Sequence, residues 1–178
     1  MTPFDFRPSP EPAMPIAAPG VRPEQFKEAL ARLAGGLAIV SCWQDGRPQG
    51  LLVSSITGLS VDPPRFLFCI RREASAHDHL LGAHLCGISI LSADDEDEAL
   101  TFIDPALRQR RFTGPRWRLA APHPPLLESS LSKTVCLVDS VVDAGTHSIV
   151  VVSAQSLSVG GGDPLLSYDR DLRRLRPQ

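Results

Sequence analysis

Apolar positions along this chain change character at Gly35-Gly36. Before that pair they recur at helical spacing. Phe26, Ala29, Leu30 and Leu33 follow i, i+3, i+4, i+7, and Pro23 suits a first helical position. The spacing predicts a helix that the two glycines stop. After them the runs shorten and become continuous. Leu37–Trp43 and Gly50–Ile56 are separated by a stretch containing Asp45-Gly46, a hairpin signal. Further strands are predicted over Arg65–Ile70, Leu85–Leu91, Lys133–Val142 and Thr146–Leu157. A short helix is expected near Ser75–Gly82, with Ser75 as N-cap and Asp78 three residues on. Asp94–Phe102, acidic and then apolar, reads as a surface helix, and Gly114–Pro125 as irregular. Residues 1–21 carry six prolines and little apolar content, so they are expected to form a flexible tail ahead of one domain over 22–178. No internal repeat is present. Six or more strands at hairpin spacing with few helices argue for a mainly β protein, a closed antiparallel barrel rather than a doubly wound sheet.

Composition narrows the function. The 178 residues suffice for one domain with a real core, and 43% are hydrophobic. The net charge of −2, from 18 basic and 20 acidic residues, gives no electrostatic case for nucleic acid or an anionic membrane. No apolar run approaches the roughly 20 residues of a membrane span, and no basic-then-apolar leader opens the sequence. Cys42, Cys69, Cys86 and Cys136 are scattered through apolar stretches without a C-x-x-C pair. They read as small core residues in a reducing compartment, and the expected location is the cytoplasm.

The chemistry concentrates in G-L-L-V-S-S-I-T-G-L-S-V-D-P-P, residues 50–64. An apolar strand gives way to the hydroxyls of Ser54, Ser55, Thr57 and Ser60, and stops at the rigid turn Asp62-Pro63-Pro64. An unpaired buried hydroxyl costs roughly 1–3 kcal/mol. The cluster therefore marks either a polar ligand or a strand whose hydroxyl face is wet. Ser75, preceded by Arg71 and Arg72, is either a phosphate seat at a helix N-terminus or an N-cap beside surface arginines. His77, His79 and His84 lack ligand spacing for a metal and read as solvated helix residues. Trp43 and Trp117 read as core or interface. No nucleotide-binding glycine motif and no G-x-S-x-G elbow occurs. Gly160-Gly161-Gly162 precedes Asp163-Pro164 and reads as a loop.

These pieces, in their order and spacing, resemble the flavin reductase-like family, whose fold is the FMN-binding split barrel of Greek-key type. The resemblance runs from about Val21 to Leu175. It rests on the 50–64 stretch, on F-K-E-A-L-A-R-L-A-G-G-L-A-I-V at 26–40, and on L-F-C-I followed by Ser75. Arg111-Phe112, A-G-T-H-S-I at 144–149 and P-L-L-S-Y at 164–168 add to it. It implies NADH- or NADPH-dependent reduction of FMN or FAD, in a homodimer that supplies reduced flavin to a partner monooxygenase. The alternative is a flavin- or haem-binding barrel without turnover.

As implied by the family, Leu52, Val53, Ser54, Ser55 and Ile56 would cradle the ring edge. Pro63 and Pro64 would shape the wall, and Arg71 and Ser75 would seat the phosphate. Arg111 and Phe112 would touch flavin or interface, and Tyr168, the only tyrosine, would either close over the ring or merely pack. His147 would face the nicotinamide side, where hydride passes from C4 of the nicotinamide to N5 of the flavin. The chain differs from the family pattern at Leu52 (often Thr), Ser89 (often Asn) and Thr146 (usually acidic).

Overall fold

The computed structural model describes residues 20–175, so residues 1–19 of the expected tail lie outside the described residues. Helix α1 (Pro23–Ala31) is followed by strands β1 (Gly35–Gly36), β2 (Ala38–Gln44), β3 (Arg47–Val53), β4 (Thr57–Ser60) and β5 (Arg65–Arg71). Helix α2 (His77–Gly82) leads to β6 (Leu85–Ile90), and α3 (Glu96–Ile103) to the short β7 (Trp117–Arg118) and β8 (Leu126–Leu127). Two 13-residue strands follow, β9 (Ser132–Ala144) and β10 (His147–Val159), and then the hairpin β11 (Leu165–Tyr168) and β12 (Asp171–Arg174).

The main sheet has seven strands in the order β3-β2-β6-β9-β10-β5-β4, with every pairing antiparallel. Its two edge strands, β3 and β4, are consecutive in the chain and joined only by residues 54–56. A flat seven-stranded sheet would hold its edges roughly 29 Å apart, at about 4.8 Å per step. The four Cα steps from Val53 to Thr57 reach at most about 15 Å. The sheet must therefore roll up until its edges approach. The edges do not pair with each other, so the expected closed barrel is instead rolled but open along one seam.

Two apolar layers form because β2 is central and covered on both faces. Ala38, Val40 and Cys42 face the interior of the roll with Val53, Phe68, Ile70, Ile88 and Val150. Leu37 and Ile39 face outward, into a second cluster with Leu91, Phe102, Phe112, Trp117, Leu127 and Leu165. Burial on both faces explains why this strand reads as a continuous apolar run rather than an alternating one. The Asp45-Gly46 turn adopts positive φ at both residues, 50° and 71°, matching the twist of β2 and β3.

The apolar stripe of the first helix stays at the surface: no residue of α1 is buried, and Phe26, Leu30 and, just past its end, Leu33 are exposed. Several expectations need correction. Ser75 is not an N-cap, because α2 begins at His77 with Ala76 at the cap position. His77 is not solvated but buried. Of the four cysteines, Cys42, Cys86 and Cys136 are buried while Cys69 is half-buried. Burial pushes the Cys42 thiol up to about 11. Ser89 is also structural: fully buried, its Oγ accepts the Leu127 N–H at 3.1 Å.

Segment Asp94–Phe102 is only partly a surface helix. Glu98 is buried on its inner face, where Oε2 accepts from Trp117 Nε1 at 3.1 Å and Oε1 pairs with Arg116 at 3.2 Å. Burial raises the Glu98 pKa, outweighing the lowering by Trp117 and Arg116. The folded chain therefore holds this proton more tightly than the unfolded one. The contribution of Glu98 to stability is full below the ordinary glutamate range near pH 4. It is lost as pH rises through the raised value. Glu98→Gln should remove this part of the pH slope, and urea unfolding across mildly acidic pH checks it. Parallel slopes for both proteins would refute the assignment.

Candidate functional site

The open seam leads into a cavity of about 1070 Å³, at the upper end of ordinary ligand pockets. Its floor is the strand that carries the sequence's densest chemistry. Gly50–Val53 of β3, the link Ser54–Ile56 and Thr57 all line it. The three link residues stand outside both neighbouring ladders, since the β2–β3 register ends at Val53 and the β4–β5 register starts at Thr57. Their backbone groups are thus not committed to a strand partner. The link is fixed by a side chain instead. Ser55 Oγ accepts the Cys69 N–H at 3.0 Å and donates to the Cys69 carbonyl at 3.1 Å. Gly35 allows close approach from the other side, because a Cβ there would lie 2.9 Å from the Ser54 carbonyl oxygen.

Cys69 and Arg71 of β5, then Ala74, Ser75 and Ala76, form one wall, with His147 of β10 beside them. His147 pairs with Arg71 in the β5–β10 register. Its Nδ1 lies 2.9 Å from Thr146 Oγ1, which leaves Nε2 as the ring's remaining polar atom for a ligand. The opposite wall comes from α1 and the β11–β12 turn: Lys27, Leu30 and Ala31 face Ser167, Tyr168, Asp169 and Arg170. Hydrogen bonds hold these two elements together. Asp169 N–H donates to the Ala31 carbonyl at 2.8 Å, Arg32 pairs with Asp169 at 3.3 Å, and Arg170 pairs with Glu28.

Arg111 lines the cavity with Phe102. Its Nε donates to the Thr101 carbonyl at 2.9 Å and its Nη2 to that of Phe102 at 3.1 Å, and its guanidinium lies 5.0 Å from the Phe102 ring centroid. Burial lowers its pKa, with Arg108 adding to the effect.

Two sequence-derived assignments fall outside the cavity. Phe112 is buried behind the wall, edge-on to Phe102 at 5.4 Å and against Trp117 at 4.6 Å; it supports Phe102 rather than facing a ligand. Pro63 and Pro64 sit in the turn between Ser60 and Arg65, at the ends of β4 and β5 remote from Thr57 and Arg71. Strand length puts that turn on the order of 10 Å from Thr57, the nearest lining residue on β4. Lys27, Phe102, Asp169 and Arg170 line the cavity without any sequence signal that pointed to them. The nearest hint was P-L-L-S-Y, which ends one residue short of the turn.

The lining suits a large, partly aromatic anion. Leu51, Leu52, Val53, Ile56 and Phe102 are apolar, Ser54, Thr57, Ser75 and Ser167 offer hydroxyls, and four cations (Lys27, Arg71, Arg111, Arg170) face one carboxylate, Asp169. A planar ring edged with carbonyl and N–H groups fits against the uncommitted backbone of 54–56. A phosphate fits between the cations of the two walls. The fold and this donor set together are those of a flavin-binding protein.

Comparison with known proteins agrees. The model of the flavin reductase like domain matches residues 30–176, and the chain belongs to this family. An FMN reductase (NADH) RutF of Variovorax paradoxus is 27% identical over 159 residues, covering 88% of each chain. The reductase component of a 4-nitrophenol 4-monooxygenase/4-nitrocatechol 2-monooxygenase from Rhodococcus opacus is 30% identical over 81% of this chain and 76% of its own. The crystal structure of BorF, the flavin reductase component of a bacterial two-component tryptophan halogenase, superposes with a TM-score of 0.77. It is 27% identical, with 87% of this chain and 99% of that one covered.

Proposed function

We propose that this protein is an NADH:flavin oxidoreductase that binds FMN or FAD in the seam cavity and releases reduced flavin to a partner monooxygenase. The observation that carries the reading is the 54–56 link, whose backbone stands outside both ladders on the floor of a cavity with four cations. When bound, the flavin supplies the hydride-accepting chemistry. Backbone N–H groups of 54–56 would hydrogen-bond the ring edge and, as preorganised donors, would favour its negatively charged form. Lys27, Arg71 and Arg170 would hold the phosphate, Leu52 and Phe102 would exclude water from the ring, and His147 would border the side left for the nicotinamide. NADPH is the alternative donor.

The exposed Phe26 and Leu30 of α1 and Leu33 just past its end, beside the cavity, support a homodimer in which a second copy covers this face. Four free thiols and the reduced nicotinamide substrate support a cytoplasmic location. No helix among the described residues is long and apolar enough to cross a membrane.

Purified protein mixed with NADH and FMN, then with NADH and FAD, should bleach the visible absorbance of oxidised flavin well above the protein-free rate. No bleaching with NADH or NADPH overturns the reading. Flavin that binds but is not reduced points to a carrier barrel. Ser55 is already spent on Cys69, so Ser54 is the informative hydroxyl. Ser54→Val should weaken FMN binding about tenfold, roughly 1.4 kcal/mol, by fluorescence titration.

A further inference from the structure

Asp78, His77 and Ser148 form a hydrogen-bonded chain that flavin reduction does not use. His77 Nδ1 lies 2.6 Å from Asp78 Oδ1, and Nε2 lies 2.9 Å from Ser148 Oγ. The sequence of groups is that of a hydrolytic triad, but the hydroxyl is enclosed. Ser148 is 3% exposed and does not line the cavity, so it cannot meet a substrate. The chain's position suggests a different role. His77 opens α2, directly after Ala74–Ala76, which line the cavity. Ser148 follows His147, which also lines it. The segment from Arg71 to Ala76 is thus tied to β10 at both ends, by the Arg72 N–H on the Thr146 carbonyl at 3.1 Å and by His77 on Ser148. The two ties land on either side of His147.

We propose that His77 is a positioning residue of the flavin site. Its bond to Ser148 fixes the Arg71–Ala76 wall against β10, so that Ser75 and Ala76 keep their place beside His147 at the cavity. The inference rests on the flavin reading above. In this clamp the Asp78 carboxylate accepts from Nδ1–H, and Nε2 then accepts from the Ser148 hydroxyl.

His77→Phe keeps the ring's bulk and removes both nitrogens. With full-length protein, FMN fluorescence titration should show Kd rising about tenfold, because the wall is released and Ser148 is left unpaired. The turnover rate at saturating FMN should change by less than about threefold. His77→Gln, which can again reach Ser148, should restore Kd to within about threefold. Ser148→Ala should act in the same direction, and the double variant should be no weaker than His77→Phe alone. An unchanged Kd in His77→Phe, failure of Gln to restore it, or additive effects of the two substitutions overturns the clamp. A second readout is independent of flavin: amide hydrogen exchange over residues 72–76 should accelerate in His77→Phe and in Ser148→Ala. If the wild type neither binds FMN nor oxidises NADH, the flavin reading fails. The exchange measurement then decides whether the wall is pinned, and unchanged exchange overturns the clamp by itself.

Discussion

Gly50→Ala should lower the melting temperature by about 2–12 °C, and Gly50→Val should leave little soluble protein. A Cβ at this position would lie 2.5 Å from the Val40 carbonyl oxygen, 2.9 Å from Cζ of Phe112 and 3.2 Å from the Ser41 Cα. Two of these neighbours are backbone of β2, paired on both sides by β3 and β6, and cannot yield. The third is a ring wedged between Phe102 and Trp117. Overpacking of this kind costs about 1–3 kcal/mol or more, and each kcal/mol shifts the melting temperature about 2–4 °C for a chain of this length. The damage should reach the site, because Gly50 lines the cavity and Phe112 supports Phe102. Gly36→Ala is the matched control. No atom lies within 4 Å of a Cβ there, so its melting temperature and flavin affinity should match the wild type. Equal thermal stability of the Gly50 and Gly36 variants would count against the packing described.

Asp95→Ala should destabilise the fold by about 3 kcal/mol or more, since several enclosed donors each lose an acceptor at roughly 1–3 kcal/mol. Asp95 is fully buried. Its Oδ2 accepts from both the N–H and the Oγ of Ser92 at 2.9 Å, and its Oδ1 accepts from Ser129 Oγ at 2.5 Å and faces Arg116 at 3.5 Å. Alanine leaves those donors enclosed without an acceptor. Asparagine keeps one oxygen and should lose less. Denaturant midpoints at unchanged m-value measure both changes. A loss under about 1 kcal/mol for Asp95→Ala would mean that water replaces the carboxylate. The effect matters to function because this corner starts the helix that delivers Phe102 to the cavity and anchors the returning chain, where Ala93 N–H donates to the Asp163 carbonyl at 2.7 Å.

Much of the architecture could be read from local pattern, and the exceptions have identifiable causes. The β2–β3 hairpin announced itself through Asp45-Gly46, but β3 begins at Arg47, three residues before the apolar run. Its Arg-Pro-Gln start did not look like strand, yet proline is tolerated here because β3 is an edge. The β11–β12 hairpin went unread because its turn, Asp169-Arg170, reaches positive φ, 53° and 64°, without glycine. The stripe on α1 was legible as a helix, but its exposure was not, since periodicity states which face is apolar and not what covers it.

At the site, the local stretch from Leu52 to Ile56 was legible because hydroxyls and small apolar residues crowd one segment. Lys27 and Arg170 were not. They are more than a hundred residues apart in the chain, and only the pairing of α1 with the β11–β12 turn makes them neighbours across the cavity from Arg71. His77 was misjudged for the same reason, as its partner Ser148 lies 71 residues away.

The three-residue tether between the sheet's two margins has a consequence for how this protein can change. Lengthening it would let the rolled sheet splay, and shortening it would strain the closure, so the stretch nearest any bound ring is the least free to vary. Adaptation to a bulkier or differently charged ligand is left to the far wall, where an uncovered helix and a tight reverse turn meet through a few surface contacts that can be exchanged without disturbing the roll.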